Sequence, residues 1–513
     1  MEHLSRLNNA TTLASLLACA ITAFIVKRRL RRLPLPPGPK RWPIVGNALS
    51  FPKEREWLTF MRWGRESDSE LVYYEVWGKP FVVINSHRVA VELFERRSAL
   101  YADRPRMPML LDLCGWAWDL AFMPYDDTWK LARKLFTQHF RPGAAGRYRD
   151  EETRCARELL ADLLKDDTHL FEVTRLVFGK LIMSVTYGID VKSAEDKYIT
   201  NAQKALFALT ATGNVGTYLV DSIPLLKYVP DWVPGAKFQR DAREWRAATE
   251  AMAQQPVADV KAAMAEGVAP PSVLRSLLED YGENASPQEA YAIMSATGTA
   301  YEAASETTWS ATLTVILAML LFPDIQAKAH AELDRVVSSD RFPDFSDQPS
   351  LPYIMAICKE ALRWRTPLPL AVMHRVTKDD IYNGYHIPGS STVVLNAWAI
   401  LLDPAQYPNP EPFMPERFLT PSGELDSNTP EPTAAFGYGR RACAGSAMAL
   451  DTLWIVVTSL LWAFDVRRAV DAEGKEVEVA DEYTVGVVCY PAPFKCAMHP
   501  RSDSVRALIL ASG

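Results

Sequence analysis

At 513 residues the chain is long enough for two or three domains, yet no Gly/Ser run, like-charge block or internal repeat divides it. With 48% hydrophobic residues and a net charge of −6, it lacks the basic excess that binding nucleic acid would require. Seven scattered cysteines without a CxxC pair argue against a zinc site or a secreted disulfide framework, and they fit a reducing compartment.

Residues 7–26 contain no charged side chain. As a helix they would span roughly 30 Å, about the depth of a bilayer core. Lys27, Arg28, Arg29, Arg31 and Arg32 follow at once. A basic cluster behind an apolar helix stays on the cytoplasmic side. These cations also stand where a cleaved signal peptide would need small residues. Residues 1–32 are therefore expected to form a single membrane anchor with a basic stop-transfer cluster. Residues 33–39 read Leu33-Pro34-Leu35-Pro36-Pro37-Gly38-Pro39, which cannot continue a helix and should act as a stiff hinge. Residues 40–513 then make up one large catalytic domain.

Within that domain, residues 71–77 and 80–85 flank Gly78-Lys79 like a hairpin. Apolar residues recur at spacings of three and four over 151–164 and 238–260, and more weakly over 201–211. The longest helical run, 290–321, is apolar on most sides and so should be buried, with Pro323 closing it. Residues 392–395 and 484–490 are further strand candidates. No βαβ alternation and no GxGxxG is present, which excludes a nucleotide-binding doubly wound sheet. The expected fold class is mainly α with a small β portion.

The sharpest local signal is Ala435-Phe436-Gly437-Tyr438-Gly439-Arg440-Arg441-Ala442-Cys443-Ala444-Gly445. Gly439 and Gly445 permit tight turns and close approach to a flat ligand. Phe436 can pack on the sulfur side, and Arg441 sets a cation two residues before the thiol. An apolar helical pattern starts at Ser446. Cys443 should therefore lie just before a helix N-terminus, where N–H groups and the dipole favour a thiolate. A thiolate is what a strongly donating iron ligand must be.

This segment resembles the haem-binding signature of the cytochrome P450 family, Phe-x-x-Gly-x-Arg-x-Cys-x-Gly, matched at Phe436, Gly439, Arg441, Cys443 and Gly445. Three further family motifs occur in the expected order. Glu360-Ala361-Leu362-Arg363 matches Glu-x-x-Arg, whose family role is structural and tied to Pro415-Glu416-Arg417-Phe418. Trp129 and Arg133 match Trp-x-x-x-Arg; at i and i+4 they share a helix face, and both could reach haem propionates. His374-Arg375 stands where family members supply another propionate contact. The long helix carries Ala303-Ala304-Ser305-Glu306-Thr307-Thr308, similar to Ala/Gly-Gly-x-Asp/Glu-Thr-Thr but with Ala304 where glycine is usual.

The resemblance implies a cytochrome P450 fold with haem b held through Cys443 as its metal ligand. Glu306 and Thr307 would be the catalytic acid and hydroxyl that deliver protons. Trp129, Arg133, His374, Arg375, Phe436, Gly439, Arg441 and Gly445 would complete the cofactor site. By position in the family, the pocket should draw on residues 110–122, with Trp116, Trp118 and Phe122, and on 301–304, 368–372 and 484–488. These are mainly apolar, which suits a small apolar or aromatic substrate. The overall run of residues is similar to fungal secondary-metabolite members of the O-methylsterigmatocystin-oxidoreductase-like group. The implied activity is insertion of one oxygen atom of dioxygen into a terpenoid, polyketide or indole type of molecule. Electrons would come from NADPH through a separate cytochrome P450 reductase, with cytochrome b5 as an optional second donor, because no flavin or nicotinamide signature is present. The protein would be single-pass in the endoplasmic reticulum membrane, its catalytic domain cytosolic. Two alternatives from other classes are a haem-thiolate isomerase or dehydratase that needs no dioxygen, and a non-catalytic haem-binding membrane protein.

Overall fold

The computed structural model describes residues 33–52, 54–213, 217–282 and 285–512. The anchor expected over 1–32 lies outside the described residues. The strands in chain order are β1 (Leu71–Val76), β2 (Lys79–Ile84), β3 (His374–Arg375), β4 (Asp380–Tyr382), β5 (Tyr385–Ile387), β6 (Thr392–Leu395), β7 (Phe464–Arg468) and β8 (Cys496–Pro500). Helices make up most of the remaining regular structure.

β1 and β2 form the expected hairpin, with Val76 opposite Lys79. The turn is Trp77-Gly78 rather than Gly78-Lys79. Both residues take positive φ, 50° and 76°, which matches the twist of a two-residue hairpin. β2 then pairs in parallel with β6, Phe81 facing Thr392, and β6 pairs antiparallel with β3. Residues 484–490 do not form a strand. They make a turn in which Thr484 N–H donates to Tyr490 O at 2.9 Å, with Gly486 at φ 151°.

The long helix runs Pro287–Leu321. Its start is set by a capping box: Ser286 Oγ accepts from Glu289 N–H, and the Glu289 carboxylate accepts from Ser286 N–H. Such a cap stabilises the helix by about 1 kcal/mol. Pro323 ends the run as expected, but it also opens the next helix, Pro323–Val336, from its first position. The Pro287–Leu321 and Ser446–Ala463 helices are both long and apolar enough to cross a membrane. At 83% and 72% buried over their apolar windows, they are core helices of the folded body instead. They pack on the Asp127–Phe140, Arg149–Lys165, Leu170–Tyr187 and Pro352–Trp364 helices.

The Pro352–Trp364 helix carries a fully buried ion cluster. Arg363 donates to both oxygens of Glu360, at 2.6 and 2.7 Å. Arg417 Nε donates to the same carboxylate at 3.1 and 3.0 Å. The cluster ties that helix to the Pro415–Phe418 turn, which leads along the chain toward Cys443.

Candidate active site

A cavity of about 290 Å³ lies between the loop holding Cys443 and the middle of the long helix. Phe436, Arg441, Cys443 and Gly445 line one wall, and Ala303, Ala304, Thr307 and Thr308 line another. The cysteine loop is held by its own backbone, Cys443 N–H donating to Phe436 O at 2.7 Å. Gly439 has φ +63°, and a Cβ there would come within 2.0 Å of Phe94 O, so only glycine fits. Gly437 has φ +77° and is the second left-handed position in the loop. Gly445 instead has φ −93° and borders the cavity, so its value lies in open space rather than in a strained turn.

Cys443 is the exposed cysteine among those described, and its exposure is to this cavity. The loop leads into the Ser446–Ala463 helix as expected. Burial nevertheless pushes the thiol up, while the Gly445 N–H and Arg133 act the other way. The helix terminus alone does not make the thiolate; a coordinated cation does so outright.

Trp129 and Arg133 both line the cavity, from the Asp127–Phe140 helix. The single indole N–H of Trp129 is spent on Leu120 O at 3.1 Å, so it has no donor left for a carboxylate. Its ring lies 4.1 Å below the Arg441 guanidinium as a cation–π partner. Arg133 donates to Ala442 O. Arg441 donates to the carbonyls of Ala102, Leu120 and Met123 at 2.8, 3.0 and 2.8 Å.

His374 and Arg375 part company. Successive side chains on a strand point to opposite faces. His374 faces the cavity, with Nδ1 2.8 Å from Tyr101 O, which makes Nδ1 the donor. Burial, with Arg104 close by, holds its pKa well below the usual range, so the ring is neutral. Arg375 is not on the cavity wall; its Nε donates to Asp103 at 3.0 Å, and it acts as an ion-pair partner there.

The acid and the alcohol also separate. Thr307 lines the cavity, with its hydroxyl donating to Ala303 O at 2.8 Å. Glu306 points elsewhere and is held by Arg175 at 2.7 Å. Glu302, one turn earlier, lines the cavity instead. Each of the expected pocket segments reaches the wall, through Leu120, Ala121 and Phe122, through Glu302, Ala303 and Ala304, through Leu368, Ala371 and Val372, and through Val487 and Val488. Trp116 and Trp118 are buried and stacked on each other, and Trp118 packs where a Cβ on Gly298 would stand at 2.7 Å. Tyr301 is in the core, donating to Tyr198 O at 3.0 Å.

Arg104 was not among the expected site residues. It is buried on the cavity wall and donates through Nη1 to Val372 O and Met373 O at 2.6 and 2.7 Å. Its Nε has no partner among the described residues. The available signal was weak, because Arg104 stands between Asp103 and Arg106 and reads like one of several ordinary surface charges. Arg104, Arg133 and Arg441 thus share one cavity wall with only carbonyls as hydrogen-bond acceptors. Guanidinium groups do not deprotonate in proteins, so this arrangement calls for an anion. A flat group with carboxylates at one edge and a metal above the Cys443 sulfur fits these donors.

Comparison with known proteins agrees. The sequence model of the Cytochrome P450 family matches residues 36–497. The chain is 41% identical over 498 residues to cytochrome P450 monooxygenase 98 of Postia placenta, covering 96% of this chain and 95% of the relative. It is 40% identical over 504 residues to a cytochrome P450 monooxygenase of Armillaria gallica, covering 96% and 98%. Tryptamine 4-monooxygenase of Psilocybe cyanescens is 34% identical over 498 residues, covering 96% and 98%. The chain belongs to the cytochrome P450 family and is a monooxygenase whose cofactor is haem with an axial cysteine thiolate.

Proposed function

We propose that Cys443 is the axial ligand and that this enzyme inserts one atom of dioxygen into a small apolar or aromatic molecule of fungal secondary metabolism. The observation carrying this is the placement of the Cys443 sulfur and the Thr307 hydroxyl on one mainly apolar cavity. The tryptamine monooxygenase among the relatives favours an indole or similar aromatic type. The narrower likeness to the O-methylsterigmatocystin-oxidoreductase-like group stands as part of the same proposal. Haem, when bound, supplies the iron at which dioxygen is activated. Arg104, Arg133 and Arg441 would hold its carboxylates, and His374 would sit beside them. Phe122, Leu368, Val372 and Val487 would press the substrate toward the reacting face and exclude water. Thr307 would present a hydroxyl for proton delivery, with Glu306 behind it on the Arg175 side. Incubation with NADPH, reductase, labelled dioxygen and candidate substrates tests the proposal. A product carrying one labelled oxygen is expected; a product without the label would overturn the monooxygenase assignment for that substrate.

Thr307→Ala is expected to keep haem and substrate binding while product per NADPH falls, by roughly tenfold or more given what general acid catalysis contributes. The missing electrons should appear as peroxide. An unchanged ratio would remove Thr307 from proton delivery.

Electrons would arrive from a separate NADPH-dependent reductase, with cytochrome b5 as an optional donor, at the endoplasmic reticulum membrane. Exposed Ile223, Leu225, Tyr228 and Trp232 would add a second membrane contact beside the amino-terminal anchor. Lys130, Lys134 and Arg440 are all exposed, the first two on the helix of Arg133 and the third in the cysteine loop. Lys130 is not free: it pairs with Asp127 at 2.8 Å, and Arg440 donates to the Tyr125 hydroxyl at 2.7 Å. They nonetheless form a basic rim of the kind that steers an acidic partner. Lys130→Glu with Lys134→Glu should slow reduction at low salt, and the deficit should shrink as salt rises. Stopped-flow rates equal to the parent at low salt would exclude this docking face.

A further inference from the structure

The long helix brings to the cavity a carboxyl that neither proton delivery nor cofactor binding uses. Glu302 lines the cavity one turn before Glu306. Its main-chain oxygen accepts from Ser305 Oγ at 3.3 Å, but the groups acting on its carboxyl are Asp119 and Glu306, both acidic. Asp119 is fully buried on the adjoining loop. Its Oδ1 accepts from Ala121 N–H at 2.8 Å and from the Thr299 hydroxyl at 3.2 Å, while Oδ2 has no partner among the described residues. Thr299 lines the cavity three residues before Glu302, on the same helix face.

The countercharges are unevenly shared among these three acids. Glu306 has Arg175 at 2.7 Å. Asp119 feels Arg104. Glu302 has no cation among the described residues. The cavity's guanidinium groups are Arg104, Arg133 and Arg441, and in the proposed function they are assigned to the cofactor's carboxylates. Around Glu302 the wall is largely apolar, with Phe122, Phe178, Leu181, Ile182, Leu209 and Val487 on the same cavity. A buried carboxylate is costly unless paired, and an oily cavity gains nothing from one unless its ligand supplies the partner.

We infer that the cavity selects substrates with a basic nitrogen, whose ammonium group sits against Glu302 with Asp119 behind it and whose apolar body fills the Phe178–Leu209 side. This rests on the monooxygenase reading of the same cavity. Burial and the neighbouring acids push Glu302 well above the usual carboxyl range, and an adjacent ammonium ion acts in the opposite direction.

The haem-loaded enzyme should be titrated with N,N-dimethyl-2-phenylethylamine, a tertiary amine too hindered to coordinate iron well, and with the matching ether, 2-phenylethyl methyl ether. Binding is read by tryptophan-fluorescence quenching and by thermal shift. The amine should bind roughly tenfold tighter in the parent, as expected for a desolvated ion pair. In Glu302→Gln the two affinities should converge, with the ether's nearly unchanged. Glu302→Asp should keep part of the preference. Equal affinities in the parent, tighter binding of the ether, or a preference that survives in Glu302→Gln would overturn the inference. The thiolate band of the carbon-monoxide complex is recorded on the same preparations. Its absence from the parent would overturn the Cys443 assignment instead, whatever the amine preference.

Discussion

Replacing Cys443 with serine is expected to remove the thiolate band of the carbon-monoxide complex and to reduce turnover to background. Serine is nearly isosteric, and the loop is held by Gly437, Gly439 and the Cys443 N–H bond to Phe436 O, none of which the change touches. The folded body should therefore survive with the wrong ligand. No other described cysteine can substitute. Cys114, Cys155, Cys358, Cys489 and Cys496 are buried away from this wall, and burial pushes every one of their thiols up. Absorption spectroscopy of the reduced carbon-monoxide complex decides the matter: a retained thiolate band would mean that the sulfur comes from elsewhere.

Glu360→Ala should act through stability rather than chemistry. The Glu360 carboxylate is fully buried and accepts from both Arg363 and Arg417, and from Met414 N–H at 2.8 Å. Its removal leaves two guanidinium groups without their charge partner, which costs on the order of 3–5 kcal/mol. Whole-domain stability is about 5–15 kcal/mol. Most of the margin would go, and the Pro415–Phe418 turn would lose its tie to the helix. Haem content and the midpoint of thermal unfolding should both drop sharply, and a midpoint unchanged from the parent would refute a structural role for the cluster. Glu360→Gln, which keeps one acceptor oxygen of the two and the side-chain volume, should fall between the parent and Glu360→Ala.

What could be read in advance divides along a physical line. The cysteine loop was legible because glycines, a cation and a thiol crowd into one short turn before an apolar helix, and only a flat, metal-bearing ligand uses all of them together. The long helix was legible because an apolar surface on every side has no place except a core. Which way a side chain points was harder to read, because that depends on distant partners. Arg375 turns to Asp103, Glu306 turns to Arg175, and Trp129 spends its N–H on Leu120. The first two choices are made by segments remote in sequence. Gly298 likewise lets Trp118 pack into the core rather than the cavity. Residues 484–490 alternate like a strand, yet Gly486 and the Thr484–Tyr490 bonds fold them into a turn. Arg104 escaped notice because a single buried arginine has no periodicity to announce it.

The pairing of β2 with β6 has a consequence in time. Ile84 lies beside Leu395, and nothing nearer in the chain replaces β6 as the second neighbour of β2. At about 5–20 residues per second, ribosomal synthesis needs on the order of 15–60 seconds to pass from one strand to the other. Through that interval β2, whose Phe81, Val82, Val83 and Ile84 are all buried in the finished sheet, presents an apolar open edge of the kind that recruits foreign strands. Until β6 is made, that edge of the nascent amino-terminal segment stays without the neighbour that covers it in the finished sheet.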